Sequence, residues 1–274
     1  MKKYLDVIST VCAVILLIWI SASATALMIA RDSDYYKKEL RECGVYSTKN
    51  ENGTERRRII YSIGGDPKKQ ATLSDEQLDL VADHIVDYLF GDTESFDLKL
   101  DAITYVNGDI GYNVSLFGDR AISHMRDVKV LMKGVGISLV PCAAAFIALL
   151  IYILKKVEAQ KVLKYTFVFI AAILVIAALF CLWSLLGASE NNPFLLNLWG
   201  NLHYVLFAFS SDAYQGSFLN DALVYILTLE FFLGAVALVL SAIGIALLLW
   251  IAVFFLLAKK GNRSPKSEKA SLLS

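Results

Sequence analysis

"ISHMRDVKVLMKGVGISLVPCAAAFIALLIYIL", residues 122–154, runs from a charged, titratable stretch straight into an apolar one. Val135 to Leu154 is long enough to cross the hydrocarbon core of a bilayer, which is about 30 Å thick and needs roughly 20 helical residues. No Gly or Pro lies between Arg120 and Gly134, so the charged stretch reads as outer turns of the same helix, beginning at Arg120 with Asp119 as its cap. On that helix His124, Asp127, Val128 and Leu131 share a face, at i, i+3, i+4 and i+7. Asp127 is placed to accept a hydrogen bond from the imidazole, which would fix the tautomer and support a protonated form. The plainer reading is a solvated helix start with Arg126, Lys129 and Lys133 as interface anchors.

Three more segments meet the same length standard: Val7–Ala30, Tyr165–Gly187 and Gly234–Ala258. With 57% hydrophobic residues and a mean hydropathy of +0.55, the 274-residue chain is an α-helical integral membrane protein. Its 26 basic residues balance its 26 acidic ones, with no basic patch interleaved with aromatics, so no nucleic-acid partner is expected. Lysines and arginines flank three short regions: Lys2 and Lys3 before the first span, Lys155 to Lys164 between the second and third, and Lys259 to Lys266 after the fourth. Positive charge favours the cytoplasm, so both termini are expected inside. The segment 192–209, "NPFLLNLWGNLHYVLFAF", nearly reaches spanning length. Crossing there would put the basic tail outside and bury Asn197, Asn201 and His203 in hydrocarbon, so it reads as an interfacial or re-entrant helix.

The expected organisation is therefore a first transmembrane helix (1–30), an extracellular cap (31–133), helices two and three with their cytoplasmic loop (134–187), an outer interfacial segment (188–233), a fourth helix (234–258) and a basic tail (259–274). Within the cap, "TLSDEQLDLVADHIVDYLFG" pairs Ser74 with Gln77 in a capping-box pattern, and Leu78, Val81, Ala82, Ile85 and Leu89 recur at helical spacing. The stretch "FDLKLDAITYVNGDIGYNVSLFG" alternates like strands turning at "NGD". The fold class is thus four transmembrane helices with a mixed α/β extracellular cap.

His203 has a second, different setting. Trp199, Leu206 and Phe207 lie on its helical face, and Tyr204 and Tyr214 are close in sequence, so an apolar environment would hold its imidazole neutral, as a general base requires. The alternative is an interfacial aromatic belt around one satisfied histidine. Both histidines adjoin a membrane boundary and could meet at the seam of cap and bilayer. His84, flanked by Asp83 and Asp87, reads as a surface residue. A zinc site lacks the usual close pair of ligands, and no GxSxG elbow, SxxK motif or CxxC is present. Cys12, Cys142 and Cys181 fall in spans and only Cys43 outside, so they read as packing residues. No cofactor is implied.

The run "ISHMRDVKVLM", with "LSDEQLDLVADHIVDYLFG" before it and "LWGNLHYVLFAFSSDAYQGSFLNDALVYILTLEFF" after it, resembles the lipoprotein intramolecular transacylases, bacterial membrane proteins with four spans and an HMxDVK motif. The resemblance implies an acyltransferase of the bacterial cell membrane. In it the sn-2 acyl chain of a lipoprotein's diacylglyceryl-cysteine moves to the α-amino group of the same cysteine. It places catalytic histidines at His124 and His203; Asp127 is expected to act beside the first, and the aromatic residues Trp199, Tyr204, Phe207 and Tyr214 around the second are expected against the substrate. The expected partners are a diacylated lipoprotein and membrane lipid. The competing readings are a four-span accessory protein whose cap binds a partner, and a metal-dependent membrane hydrolase.

Overall fold

The fold comes from a computed structural model, which describes residues 2–49, 55–189, 194–206 and 221–261. Four helices are long and apolar enough to cross a membrane: α1 (Lys2–Ala30), α4 (Asp119–Lys156), α5 (Ala159–Leu186) and α8 (Leu229–Gly261). Between them lie α2 (Ser33–Glu42), α3 (Asp75–Phe90), α6 (Phe194–Leu206) and α7 (Ala222–Ile226). Strands β3 (Ile59–Tyr61), β4 (Gln70–Thr72), β5 (Lys99–Tyr105) and β6 (Ile110–Ser115) form an antiparallel sheet in that order, and β1 (Thr48–Lys49) pairs with β2 (Glu55–Arg56). Four membrane helices with a mixed α/β cap are what the hydropathy pattern predicts.

The chain divides into two compact units, one of residues 1–25, 136–198 and 238–274, the other of 26–135 and 199–237. The first unit holds the lipid-soluble parts of the long helices. Ala13, Val14, Ile153, Val162, Trp250 and Phe254 form its small buried core, and the Trp250 indole donates to Thr166 Oγ1 at 3.1 Å. Trp19 donates likewise to Ser138 Oγ at 3.0 Å. Large aliphatic residues such as Ile137, Val140 and Leu248 are exposed, the outward apolar face that lipid rather than water covers.

The second unit has a conventional water-soluble core. Ser74 caps α3 by accepting from Gln77 N at 3.2 Å while Gln77 Oε1 accepts from Ser74 N at 2.9 Å, the reciprocal box expected from the sequence. The apolar face of α3, with Leu78, Val81, Ala82, Ile85 and Leu89, packs into a cluster with Ile60, Leu100 and Ile103 from the sheet and Leu116 just after it. Phe96, wholly buried, stacks on Phe117 with ring centroids 4.6 Å apart. His84 differs from its expected surface position. It is half-buried, its ring lies 5.6 Å from that of Phe96, and Nε2 is 3.2 Å from the Phe96 carbonyl. Of the flanking aspartates that suggested solvation, Asp83 pairs with Lys37 of α2 at 2.7 Å.

Candidate active site

The helix that carries His124 begins where the sheet ends. Strand β6 leads through Leu116 and Phe117 to Gly118, whose carbonyl accepts from Ile122 N at 3.1 Å, so Gly118 starts α4 and Asp119 lies in its first turn rather than capping it. Ala121 and Met125 are buried in the cap core, and Ile122 and Val128 pack against it. This apolar stripe fixes which way the charged face turns. The whole helix, 38 residues or about 57 Å long at 1.5 Å per residue, exceeds a bilayer core, and His124 lies some ten residues before the apolar span at Val135.

His124 is half-buried, and its pKa is lowered below the ordinary histidine value chiefly by desolvation, with the Asp127 carboxylate opposing it. Burial wins over the charge. The imidazole is therefore held in its neutral form near pH 7, whereas the sequence pattern emphasised the carboxylate's support for the protonated form. Neutral imidazole is what a proton acceptor needs. Lys129 is not a free interface anchor: Nζ donates to the Thr93 carbonyl at 3.0 Å and sits 4.4 Å from the Tyr88 ring centroid. It ties α4 to the end of α3, one turn beyond His124.

The aromatic segment is helical. Asn197 on α6 donates from Nδ2 to the Ser184 carbonyl at 2.6 Å, near the end of α5, and Gly187 leaves the room for it: a Cβ there would come within 2.7 Å of that nitrogen. The amide that argued against burial in hydrocarbon is thus satisfied. Trp199 stacks on Phe232 at the start of α8, with centroids 4.7 Å apart and planes at 26°. Tyr204 is exposed. His203 falls on α6, four residues beyond Trp199. Phe207 and Tyr214 lie outside the described residues, as do the side-chain atoms on which a meeting of His124 with His203 depends.

Sequence reasoning did not single out Asp221, a 2% exposed carboxylate that caps α7 and accepts from Gly118 N at 2.8 Å. Its only sequence signal is an Asp before a short apolar run, a pattern common at helix starts. Among the described residues no group of three His, Cys, Asp or Glu side chains could hold a metal ion, and the four cysteines are free thiols.

Comparisons with known proteins bear on the fold and the family. No curated protein matches the chain. Two solved structures of the membrane-integral lipoprotein intramolecular transacylase Lit from Bacillus cereus share its fold. One has 17% identity and a TM-score of 0.55, covering 96% of this chain and 100% of the other. The second, carrying a histidine-to-arginine mutation, has 17% identity and a TM-score of 0.54, with 96% of each chain covered. Residues 10–232 match the family described as lipoprotein intramolecular transacylase Lit. Because that match takes in most of the chain, including α4, α6 and the cap between α1 and α4, the protein belongs to the lipoprotein intramolecular transacylase family.

Proposed function

We propose that the protein transfers the sn-2 acyl chain of a lipoprotein's diacylglyceryl-cysteine to the α-amino group of that cysteine, using His124 and His203. The observation that carries this reading is the half-buried, neutral-leaning His124 with Asp127 one turn on. An α-ammonium group has a pKa near 8 and must lose a proton before it can attack an ester. Neutral His124 accepts that proton, and Asp127 stabilises the imidazolium as it forms. This assigns the base role to His124, although the sequence context alone favoured His203.

The freed amine attacks the sn-2 ester carbonyl, an oxyanion develops, and the carbon–oxygen bond to glycerol breaks. One N–H proton ends on the departing glyceryl oxygen, so the products are an amide and a free hydroxyl. His203 is the group proposed to donate that proton or to stabilise the oxyanion. Donor and acceptor lie in one molecule, so no acyl-enzyme nucleophile is required, and orientation alone can contribute a large share of the rate. Trp199, Tyr204, Phe207 and Tyr214 are proposed to line the lipid side of the site, where exclusion of water protects the ester from hydrolysis. Lys155, Lys156, Lys161 and Lys164 support a cytoplasmic turn between α4 and α5, with both termini inside and the cap outside.

The test uses purified protein and a synthetic diacylglyceryl-cysteine peptide, with the amine either free or acetylated, and reads amide formation by mass spectrometry. Conversion of the free-amine peptide, no reaction of the blocked one, and loss of conversion in His124→Ala and His203→Ala are expected. Release of free fatty acid in place of amide would make the protein a hydrolase and end the reading.

A further inference from the structure

The start of α4 is held by a carboxylate 103 residues later in the chain, Asp221. Its Oδ2 accepts from Gly118 N at 2.8 Å, and its Oδ1 accepts from Leu223 N at 3.1 Å, so one side chain both caps α7 and grips the residue that opens α4. The contact is built to be close. A Cβ on Gly118 would lie 2.7 Å from Gly65 Cα and 2.8 Å from Asp221 Oδ2, and one on Gly65, where φ is +77°, would lie 3.1 Å from Gly118 Cα. Gly64 N also donates to the Leu116 carbonyl at 3.0 Å. Three segments therefore converge around the Asp221 carboxylate: the Ile63–Gly65 turn, the β6–α4 junction and the start of α7.

Burying a carboxylate here is costly, and burial raises the Asp221 pKa while its two backbone bonds oppose that rise. A simple N-cap for a helix of only five residues does not need such a buried group, since a half-exposed Ser or Asn caps as well. The bond to Gly118 is what the buried position adds.

We infer that Asp221 is a positioning residue for the reaction, setting the axial placement and rotation of the first turns of α4 and so the placement of the His124 imidazole. The inference rests on the reading of His124 as a reacting histidine. Between Gly118 and His124 the chain is continuous helix, with Ala121 and Met125 locked in the cap core, so a shift at Gly118 carries to His124 without a hinge to absorb it.

Three variants test this in the full-length protein. Asp221→Asn keeps an oxygen for Leu223 N but faces an NH₂ group against the Gly118 N–H. Asp221→Ser keeps the cap but cannot reach Gly118. Gly118→Ala wedges the same contact from the other side. Each is assayed for kcat and KM on a diacylglyceryl-cysteine peptide, beside His124→Ala and with thermal unfolding in micelles as a fold control. Misplacement of a reacting group by about 1 Å can cost roughly a hundredfold in rate, so kcat is expected to fall roughly ten- to a hundredfold with KM within about twofold of wild type. Asp221→Asn with Gly118→Ala should cost no more than the worse single change, because both break one contact. Wild-type kcat in a folded Asp221→Ser or Asp221→Asn protein, with His124→Ala inactive, overturns the positioning role alone. A fall in kcat matched by an equal rise in KM and a lost unfolding transition overturns it in favour of a merely structural bond. An active His124→Ala overturns the reading of the histidine and the inference together.

Discussion

Replacing Phe96 with Ala should loosen the cap where it meets the His124 helix. Phe96 is fully buried, and its ring touches three others: Phe117 at 4.6 Å, Tyr88 at 5.2 Å and His84 at 5.6 Å between centroids. Truncating a buried Phe to Ala typically costs about 3–5 kcal/mol, the lost transfer free energy plus the cavity left behind. Loss of up to three ring pairs, each worth about 0.5–1.5 kcal/mol beyond its area, places this site near the upper end. Against a domain stability of roughly 5–15 kcal/mol, that is a third or more of the total. Phe117 immediately precedes Gly118, so the cavity opens beside the first turn of α4. Phe96→Leu, which keeps most of the volume but not the stacking, should cost about half as much. Pulse proteolysis of the cap across a urea series in micelles measures both. A cost under about 1 kcal/mol for Phe96→Ala would refute the view that this aromatic cluster is a principal brace of the cap.

Since burial lowers the His124 pKa, the acid limb of kcat/KM should lie below the ordinary histidine value of about 6.5, and Asp127→Asn, by removing the opposing charge, should move that limb further down while lowering the plateau. An upward move would contradict the base assignment. The same shift has a consequence for stability. The folded chain binds fewer protons at this residue than the unfolded chain, so its contribution is fully present above the unfolded value of about 6.5 and is lost as pH falls below it through the lower folded-state pKa, and His124→Gln should flatten that dependence in urea titrations run at pH 7.5 and 5.5. Ser74→Ala removes the acceptor for Gln77 N and should destabilise the cap by about 1 kcal/mol, with Ser74→Asp near neutral in the same urea assay. Trp199→Leu loses the stack on Phe232 and should raise KM severalfold with kcat little changed, read in initial-rate assays on the lipopeptide.

Much of the fold was legible because each signal was local. Twenty apolar residues make a span wherever they fall, and Ser74 with Gln77 declares the start of α3 within one turn. The continuity of α4 could be read from the missing breakers between Asp119 and Gly134. What escaped depended on partners far away in sequence. Lys129 looked like an interface anchor because Thr93 and Tyr88 are nowhere near it in the chain, and Asp221 drew no notice because Gly118 lies 103 residues back. For His84 the neighbouring aspartates spoke of water while the packed face of α3 turned the ring to Phe96. At His124 the pattern gave one influence, the carboxylate that supports the protonated form, and not the burial that opposes it. Desolvation prevails there, and only burial in the folded chain decides that.

The central claim is that this protein itself moves an acyl chain from oxygen to nitrogen within one lipoprotein by means of His124 and His203. Mass spectrometry of the N-terminal lipopeptide from a reporter lipoprotein tests it most directly, in cells lacking other N-acylating enzymes and expressing either the wild type or a His124→Ala, His203→Ala double variant shown to be folded and inserted. The account predicts an N-acyl, S-monoacylglyceryl cysteine of unchanged total mass in the wild type, and a diacylglyceryl cysteine with a free amine in the double variant. The unrearranged diacylglyceryl cysteine in both, or the rearranged product in both, would contradict it.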